Sequence, residues 1–409
     1  MLGFQTSSGG RQAGIAQGLI IALAGFFPVM AILSLQPAVP SLLAHFSSTP
    51  HADIFVPVMV VTAPGLMIAL LSFCAGWIGD RFGRRLPMLL ATFFYGLLGA
   101  APYFISGLAT IFAMRLLLGV AEAIILTLTN VLLADYFDEE SRRVWLTVQA
   151  VIGPILGTTT IMGAGLLTSF AWNGAFLIYL SAFPIFLAML LFLYEPAVVE
   201  SHQHTVAVSA RFPWRLASLY VPITIAASIL YYAFIVQSGL AFADVGLTDP
   251  ARLGVILAGA SLGVPVGGLL FGFCSKRLEM LQVIAIVFLI FAVGLTSIGL
   301  SHTLPEMIAA SFVQQIGAGM CVASLIFWVS NLLPASHRGR GFGFWTSAFF
   351  IGQFMSPAIF GPMRQILEST LQAFVAMGAF ALIVSIACFI KSRRHPGGSD
   401  TASTAAAIG

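Results

Sequence analysis

The sequence predicts an all-α membrane protein, with twelve transmembrane helices in two six-helix bundles, and three observations predict it. First, 59% of the 409 residues are apolar and only 8% are charged, giving a mean hydropathy of +1.00. A soluble domain cannot hide that much apolar surface, whereas a bilayer solvates it directly. Second, the apolar residues fall in twelve runs of about 20 residues or more, each long enough to cross as a helix. The runs are continuous rather than alternating, which argues against membrane strands. Third, the Lys and Arg residues collect in alternate loops.

The first six spans lie near 14–44, 54–78, 86–106, 109–136, 144–168 and 173–194. The second six lie near 214–241, 252–274, 281–300, 305–333, 342–364 and 370–390. Between the halves runs the longest internal loop, 195–213, containing Glu195, Pro196, Glu200, His202, His204 and Pro213. The organisation expected is an N-terminal bundle over 1–195, an inter-bundle loop over 196–213, a C-terminal bundle over 214–391 and a tail over 392–409. From Pro396 onward that tail is small and polar, and disorder is expected there.

With the N-terminus inside, fifteen of the 18 Lys and Arg residues fall on the inner face. The positive-inside bias then predicts a multi-pass protein of the plasma (inner) membrane with both termini cytoplasmic. The net charge of +3 reflects this asymmetry and does not make a nucleic-acid surface. No cleavable signal peptide is expected, because the polar N-terminus runs into a span longer than a signal core. Cys74, Cys274, Cys321 and Cys388 are scattered without CxxC spacing and read as packing residues.

Between the second and third spans sits a charged, glycine-punctuated knot, Gly76-Trp-Ile-Gly-Asp80-Arg81-Phe-Gly83-Arg84-Arg85. Its glycines let helix ends approach, and its arginines suit helix C-termini and carboxylates. Asp135, at the inner end of the fourth span, reaches the same face and is the expected partner. The bland alternative is that these cations only obey the positive-inside bias.

Arg115 and Glu122 are the two charges well inside the spans. Seven residues is about two turns, so both lie on one face, roughly 10 Å apart along the axis. Charges at this depth are costly and face a cavity or a partner. Desolvation and the Arg115 charge pull the ionisation of Glu122 in opposite senses, so this carboxyl is the candidate proton carrier. A static buried pair that orders the first bundle is the alternative. None of the seven His residues lies deep in a span.

In the fifth span, Gly153-Pro154-x-x-Gly157 offers a kinked helix with a smooth face. The eighth span has the same character in Gly259-x-x-x-Gly263-x-x-x-Gly267, with Pro265 between. The halves also echo each other: Arg115-Leu-Leu-Leu-Gly119 parallels Val313-Gln-Gln-Ile-Gly317, and the opening knot has a degenerate copy at Gly272-Phe-Cys-Ser-Lys276-Arg277-Leu-Glu279. Parallel six-span repeats are one way to build two bundles that rock about a midplane site. The chain has no Gly-x-x-x-x-Gly-Lys-Ser/Thr phosphate loop, no metal-ligand spacing and no Ser/His/Asp arrangement, so no enzyme chemistry is expected.

These residues carry a family resemblance. Gly76-x-x-x-Asp80-Arg81-x-Gly83-Arg84-Arg85 resembles the signature loop of the major facilitator superfamily, and Arg115-x-x-x-Gly119 resembles its second motif. Gln149-Ala-Val-Ile-Gly153-Pro154-Ile-Leu-Gly157 resembles the Gly-Pro motif of its proton-driven antiporters, with Thr158 where the second glycine of the closing pair usually stands. The chain is most like the drug/metabolite:proton antiporter branch. The resemblance implies the major facilitator fold, with an inner gate formed by the 76–85 loop and Asp135, and contact between the fifth and eighth spans across the halves. It also implies a central cavity whose helices offer Gln36, Tyr231, Tyr232, Gln237, Gln314, Gln315, Trp328, Trp345 and Gln353.

The activity implied is alternating-access transport by a functional monomer in the lipid bilayer, with a small-molecule substrate and protons as partners. No cofactor, metal or nucleic acid is implied; the energy source is the proton gradient. Proton-coupled export of small organic molecules is the first reading. Import of a small metabolite or organic anion is the second, because an Arg and a Glu seven apart in the fourth span also resemble the anion:cation symporter branch, although the first span lacks that branch's basic residue. A non-transporting receptor or assembly subunit is the third.

Overall fold

The computed structural model describes residues 13–196, 212–333 and 337–394, with the side chains of 73, 75–77, 80, 338 and 394 excepted. The tail beyond 394 and most of the inter-bundle loop lie outside the described residues. Each predicted span is helical. The first half contains α1 (Ile15–His45), α2 (Ala52–Val56, Pro57–Thr62 and Ala63–Phe82), α3 (Arg85–Tyr103), α4 (Leu108–Tyr136), α5 (Glu139–Phe170) and α6 (Gly174–Phe192). The second contains α7 (Trp214–Asp244), α8 (Pro250–Cys274), α9 (Met280–Gly299), α10 (Leu304–Leu332), α11 (Arg338–Leu367) and α12 (Thr370–Arg394). Eleven of these are long and apolar enough to cross a membrane. The other, α11, is diluted by glycine and by Pro357 and Pro362, yet its 30 residues still reach about 45 Å.

Prolines set the breaks. A proline has no N–H to give and crowds the preceding turn. Pro28, Pro37 and Pro40 divide α1 into Ile15–Ala24, Phe27–Leu33, the 3-10 turn Gln36–Ala38 and Val39–His45. In α2, six residues from Pro57 to Thr62 widen into a π-helix, where the Thr62 hydroxyl donates to the Val58 carbonyl at 3.3 Å. α8 breaks at Leu262, ahead of Pro265.

Four helix ends lie four or more residues from the sequence expectation: α11 starts at Arg338 and α12 runs to Arg394, and the other two have a visible cause. α5 begins at Glu139 rather than near 144, because the Asp138 carboxylate accepts the Ser141 N–H at 2.9 Å and caps it. α2 continues to Phe82, so most of the expected 76–85 loop is helix and the turn itself is only Gly83-Arg84. Gly83 ends the helix at φ +80°, a backbone region that side-chain-bearing residues seldom occupy.

Each half has its own apolar core. The first gathers Phe27, Leu118, Phe176 and Tyr179; the second gathers Phe234, Phe288, Phe291 and Phe374. Across the halves, α2 packs on α11, α5 on α8 and α1 on α7. These contacts concentrate on the face opposite the arginine-bearing loops. There Gln365 Nε2 donates to both carboxylate oxygens of Asp53 at 3.1 and 3.0 Å, and Gln36 Nε2 donates to Ser238 Oγ at 3.1 Å. On that same side a Cβ at Gly165 would stand 2.5 Å from the Pro250 carbonyl oxygen. The bundles are therefore closed on one face and part toward the other.

α5 and α8 meet across the halves as the resemblance implies, but Gly263 and Gly267 of the α8 glycine stripe face α10 rather than that seam. A Cβ at Gly263 would lie 2.6 Å from the Phe312 carbonyl oxygen, so that stripe seats α8 on α10 inside the second bundle. Small-xxx-small spacing reports close packing and does not name the partner. The α5–α8 seam uses Gly165 and Gly254 instead. Gly165→Val should overpack this seam and cost about 1–3 kcal/mol, read as a lower melting temperature. Cysteine labelling on the closed face should rise in parallel, whereas Gly153→Val, placed in open space, should change neither.

Candidate functional site

Three features carry the candidate chemistry: a charged cluster at the arginine-bearing face, a buried polar chain inside the first bundle, and a cavity between the bundles.

At the arginine-bearing face, Arg84 Nε meets Asp135 Oδ2 at 3.2 Å, and Arg84 Nη1 donates to the Gly79 carbonyl at 2.9 Å. One guanidinium thus joins the ends of α2 and α4, where exposed carbonyls favour a cation. Arg85 Nη2 donates to the Leu190 carbonyl of α6 at 3.1 Å. Arg81 is exposed, and the side chain of Asp80 and the side-chain surroundings of Gly76 lie outside what is described.

Sequence reasoning assigned Glu195 only to the inter-bundle loop, yet it organises this cluster. Its carboxylate accepts the backbone N–H of Arg84 at 2.6 Å and of Arg85 at 2.9 Å, capping the N-terminus of α3. Gly83 allows it to come close: a Cβ there would stand 2.7 Å from Glu195 Oε1. Beside it the Tyr136 hydroxyl donates to the Tyr194 carbonyl and accepts the Tyr194 N–H at 3.1 Å. The end of α6 is therefore tied to α3 and α4.

Deeper in the bundle, Arg115 and Glu122 are both buried but form no ion pair with each other. Arg115 Nε donates to the Val60 carbonyl at 2.6 Å, within the π-helical stretch of α2, and Nη1 donates to Tyr179 Oη at 2.6 Å. Tyr179 in turn donates to the Ala31 carbonyl of α1 at 2.8 Å. Tyr95 Oη donates to the Phe27 carbonyl at 2.8 Å. Glu122 lies within electrostatic range of Arg115, Tyr95, Tyr179 and Tyr232. Its Oε1 is buried without a hydrogen-bond partner among the described residues.

The cavity, about 390 Å³, runs from mid-membrane toward the arginine-bearing face between α1, α4, α5, α7, α8 and α10. Gly153, Pro154 and Gly157 line it, as do Tyr231 and Gln315. Thr129, Asn130, Gln149, Thr158 and Ser261 also line it and were not singled out as cavity residues. Thr158 does carry a signal, since it stands where the motif has glycine: its hydroxyl lies 3.2 Å from Ser261 Oγ across the bundles.

The other expected cavity residues are not among those lining this cavity. Gln36 joins α1 to α7 as described above, and Gln353 packs on Gly65 of α2. Gln314 faces Gly294 of α9, and Trp328 lies in the second core. Gln237 is buried with neither amide atom partnered among the described residues. Tyr231, Tyr232, Phe349 and Trp345 form an aromatic cluster, with Tyr231–Tyr232 at 4.8 Å and Trp345–Phe349 at 5.6 Å between centroids. Among the described residues no His/Cys/Asp/Glu group is arranged to hold a metal.

A bundle pair closed on one face around a midplane cavity defines a membrane transporter fold, and the sequence agrees. The profile of the Major Facilitator Superfamily matches residues 21–248 and 223–407, and the chain belongs to that family. It is 31% identical over 137 residues to Myo-inositol transporter 3C of Cryptococcus neoformans var. grubii, covering 33% of this chain and 23% of that protein. It is 29% identical over 175 residues to the Multidrug efflux pump LfrA of Mycolicibacterium smegmatis, covering 40% of this chain and 33% of that one. The match thus spans no more than about a third of either relative. In fold it is similar to a bacterial homologue of the human lysosomal transporter Spinster solved in an inward-facing, unoccupied conformation, with TM-score 0.72 at 15% identity over 93% of this chain and 98% of that one.

Glu195→Ala should remove the α3 cap and cost about 1 kcal/mol, measured as a fall in melting temperature of the purified protein. Arg115→Gln should leave the Val60 carbonyl without its donor and cost about 1–3 kcal/mol. The same melt should show the larger fall for Arg115→Gln.

Proposed function

We propose that this chain is a proton-coupled secondary transporter working by alternating access and exporting small organic molecules. The observation that carries the reading is Glu122, a carboxyl at membrane depth with an oxygen that no described residue satisfies, one helical turn before Leu126, which lines the cavity. Such a group weakens packing, and its retention points to work that requires a titratable side chain. Arg115 Nε and Nη1 are held by Val60 and Tyr179 while its Nη2 has no partner among the described residues; in this reading Arg115 positions the site and Glu122 carries the proton. α7 links the two sites, because Tyr231 lines the cavity while its neighbour Tyr232 lies in the field of Glu122.

In this reading the arginine-bearing face is cytoplasmic, both termini lie in the cytoplasm of a plasma-membrane protein, and the state described is open inward. Arg84, Arg85, Asp135 and Glu195 make the inner ends of α2, α3, α4 and α6 move as one body, and the Asp53–Gln365 contact is released when the outer face opens. Import of a small metabolite is the second reading, favoured by the likeness to a myo-inositol transporter.

Reconstituted vesicles test the coupling. An imposed pH gradient should drive substrate flux, and Glu122→Gln should abolish that driven flux while substrate-for-substrate exchange continues. Driven flux unchanged in Glu122→Gln would remove the carboxyl from the mechanism. Direction is read from cells with and without the protein across a compound panel, where lower accumulation in the expressing cells is the expected result.

A further inference from the structure

We infer that the cavity opens sideways into the lipid between α5 and α8, and that its cargo is a neutral amphiphile drawn from the cytoplasmic leaflet. The inference rests on the transporter reading and adds an entry route and a substrate class. The two seams between the bundles are not equally deep. On one side α2 and α11 stay joined down to the Ser347 hydroxyl, which donates to the Ala69 carbonyl at 2.8 Å; Ala69 lies 13 residues, about 20 Å, from the end of α2 at Phe82. On the other side α5 packs along Pro250–Ser261 and parts from α8 below the Thr158–Ser261 contact. Thr158 lies 19 residues, about 28 Å, from the start of α5 at Glu139. The α5–α8 gap is thus the taller opening.

Among the described residues no side chain fills the gap, and its edges are apolar. A Cβ at Gly153, Gly268 or Gly272 would meet nothing within 4 Å, and the flanking Val151, Ile155, Leu262 and Leu269 are exposed, as suits side chains bathed in hydrocarbon. Among the described residues, no Asp, Glu, Lys, Arg or His lines the cavity, so none of them repays the desolvation of a charged headgroup. The polar lining is amide and hydroxyl. Asn130 and Gln149 lie toward the arginine-bearing face, while Leu33, Ile161 and Val264 lie toward mid-membrane. An amphiphile therefore slides in with its hydrogen-bonding head at the level of Asn130 and Gln149 and its apolar body inward, without turning over.

The test uses the full chain in liposomes with a monoacylglycerol that carries a photoactivatable diazirine in its acyl chain, and maps adducts by mass spectrometry. Adducts are expected on the cavity residues Ile152, Leu156 and Val264 as well as on the lipid-facing Val151, Ile155 and Leu269. Adducts confined to the lipid-facing set would overturn the proposal. Gly268→Trp should fill the gap and remove the cavity adducts while leaving that on Leu269; cavity adducts undiminished in this variant, with the melting temperature retained, would also overturn it. If Gly268→Trp does not fold, Gly153→Trp closes the same gap from α5 and is read in the same way. Labelling requires no flux, so a failure of proton-driven transport in the vesicles would leave this result standing on its own.

Discussion

Inside a bilayer no water is available to hydrogen-bond a backbone carbonyl, and the arrangement of the first bundle follows from that constraint. Proline breaks α1 and widens α2, which frees carbonyls at membrane depth. Donors from other helices meet them: Arg115 of α4 at Val60, Tyr179 of α6 at Ala31 and Tyr95 of α3 at Phe27. Irregular helices can line a cavity here because α3, α4 and the 3-10 start of α6 supply hydrogen-bond donors to them. Two of the three Arg115 nitrogens are thereby committed, while its Nη2 and Glu122 Oε1 are buried without a partner among the described residues.

The topology was legible because hydrophobic run length is a direct consequence of membrane thickness. Every span was found, and two of the errors fell at ends where capping decides: Asp138 starts α5 early, and Gly83 stops α2 late. The 76–85 cluster was legible as a charged site but not as a helix, because Asp80, Arg81 and Phe82 carry no signal for a boundary. Glu195 was missed because its partners are backbone N–H groups more than a hundred residues away, and no spacing rule connects them. The cavity was the least legible part. Amides and aromatics on the expected helices were the right residue types, yet Tyr231 and Gln315 line it while Gln314, next in sequence, points into the second core. A step of one residue turns a side chain by about 100° around a helix, so the face cannot be read without the packing.

The two repeats differ where the mechanism needs them to. The first-half knot carries Asp80, Gly83 and Arg84, whereas its echo has Lys276 and Glu279 at the first two positions. Glu279 accordingly caps α9 by pairing with Gln282 and, among the described residues, makes no counterpart of the Arg84–Asp135 bridge. The Arg84–Asp135 bridge of this face thus belongs to the first bundle.

The low hydropathy of α11 has a consequence for biogenesis. Its glycines, two prolines and Gln353 let it fit against α2 and α7, but the same residues weaken its partition from the translocon into lipid. Such a helix is retained only when neighbours offer a polar, close-fitting surface, and α10 and α12 flank it in sequence. α7 and α2, against which α11 packs most, supply that surface, so its stable insertion depends on helices that precede it in the chain.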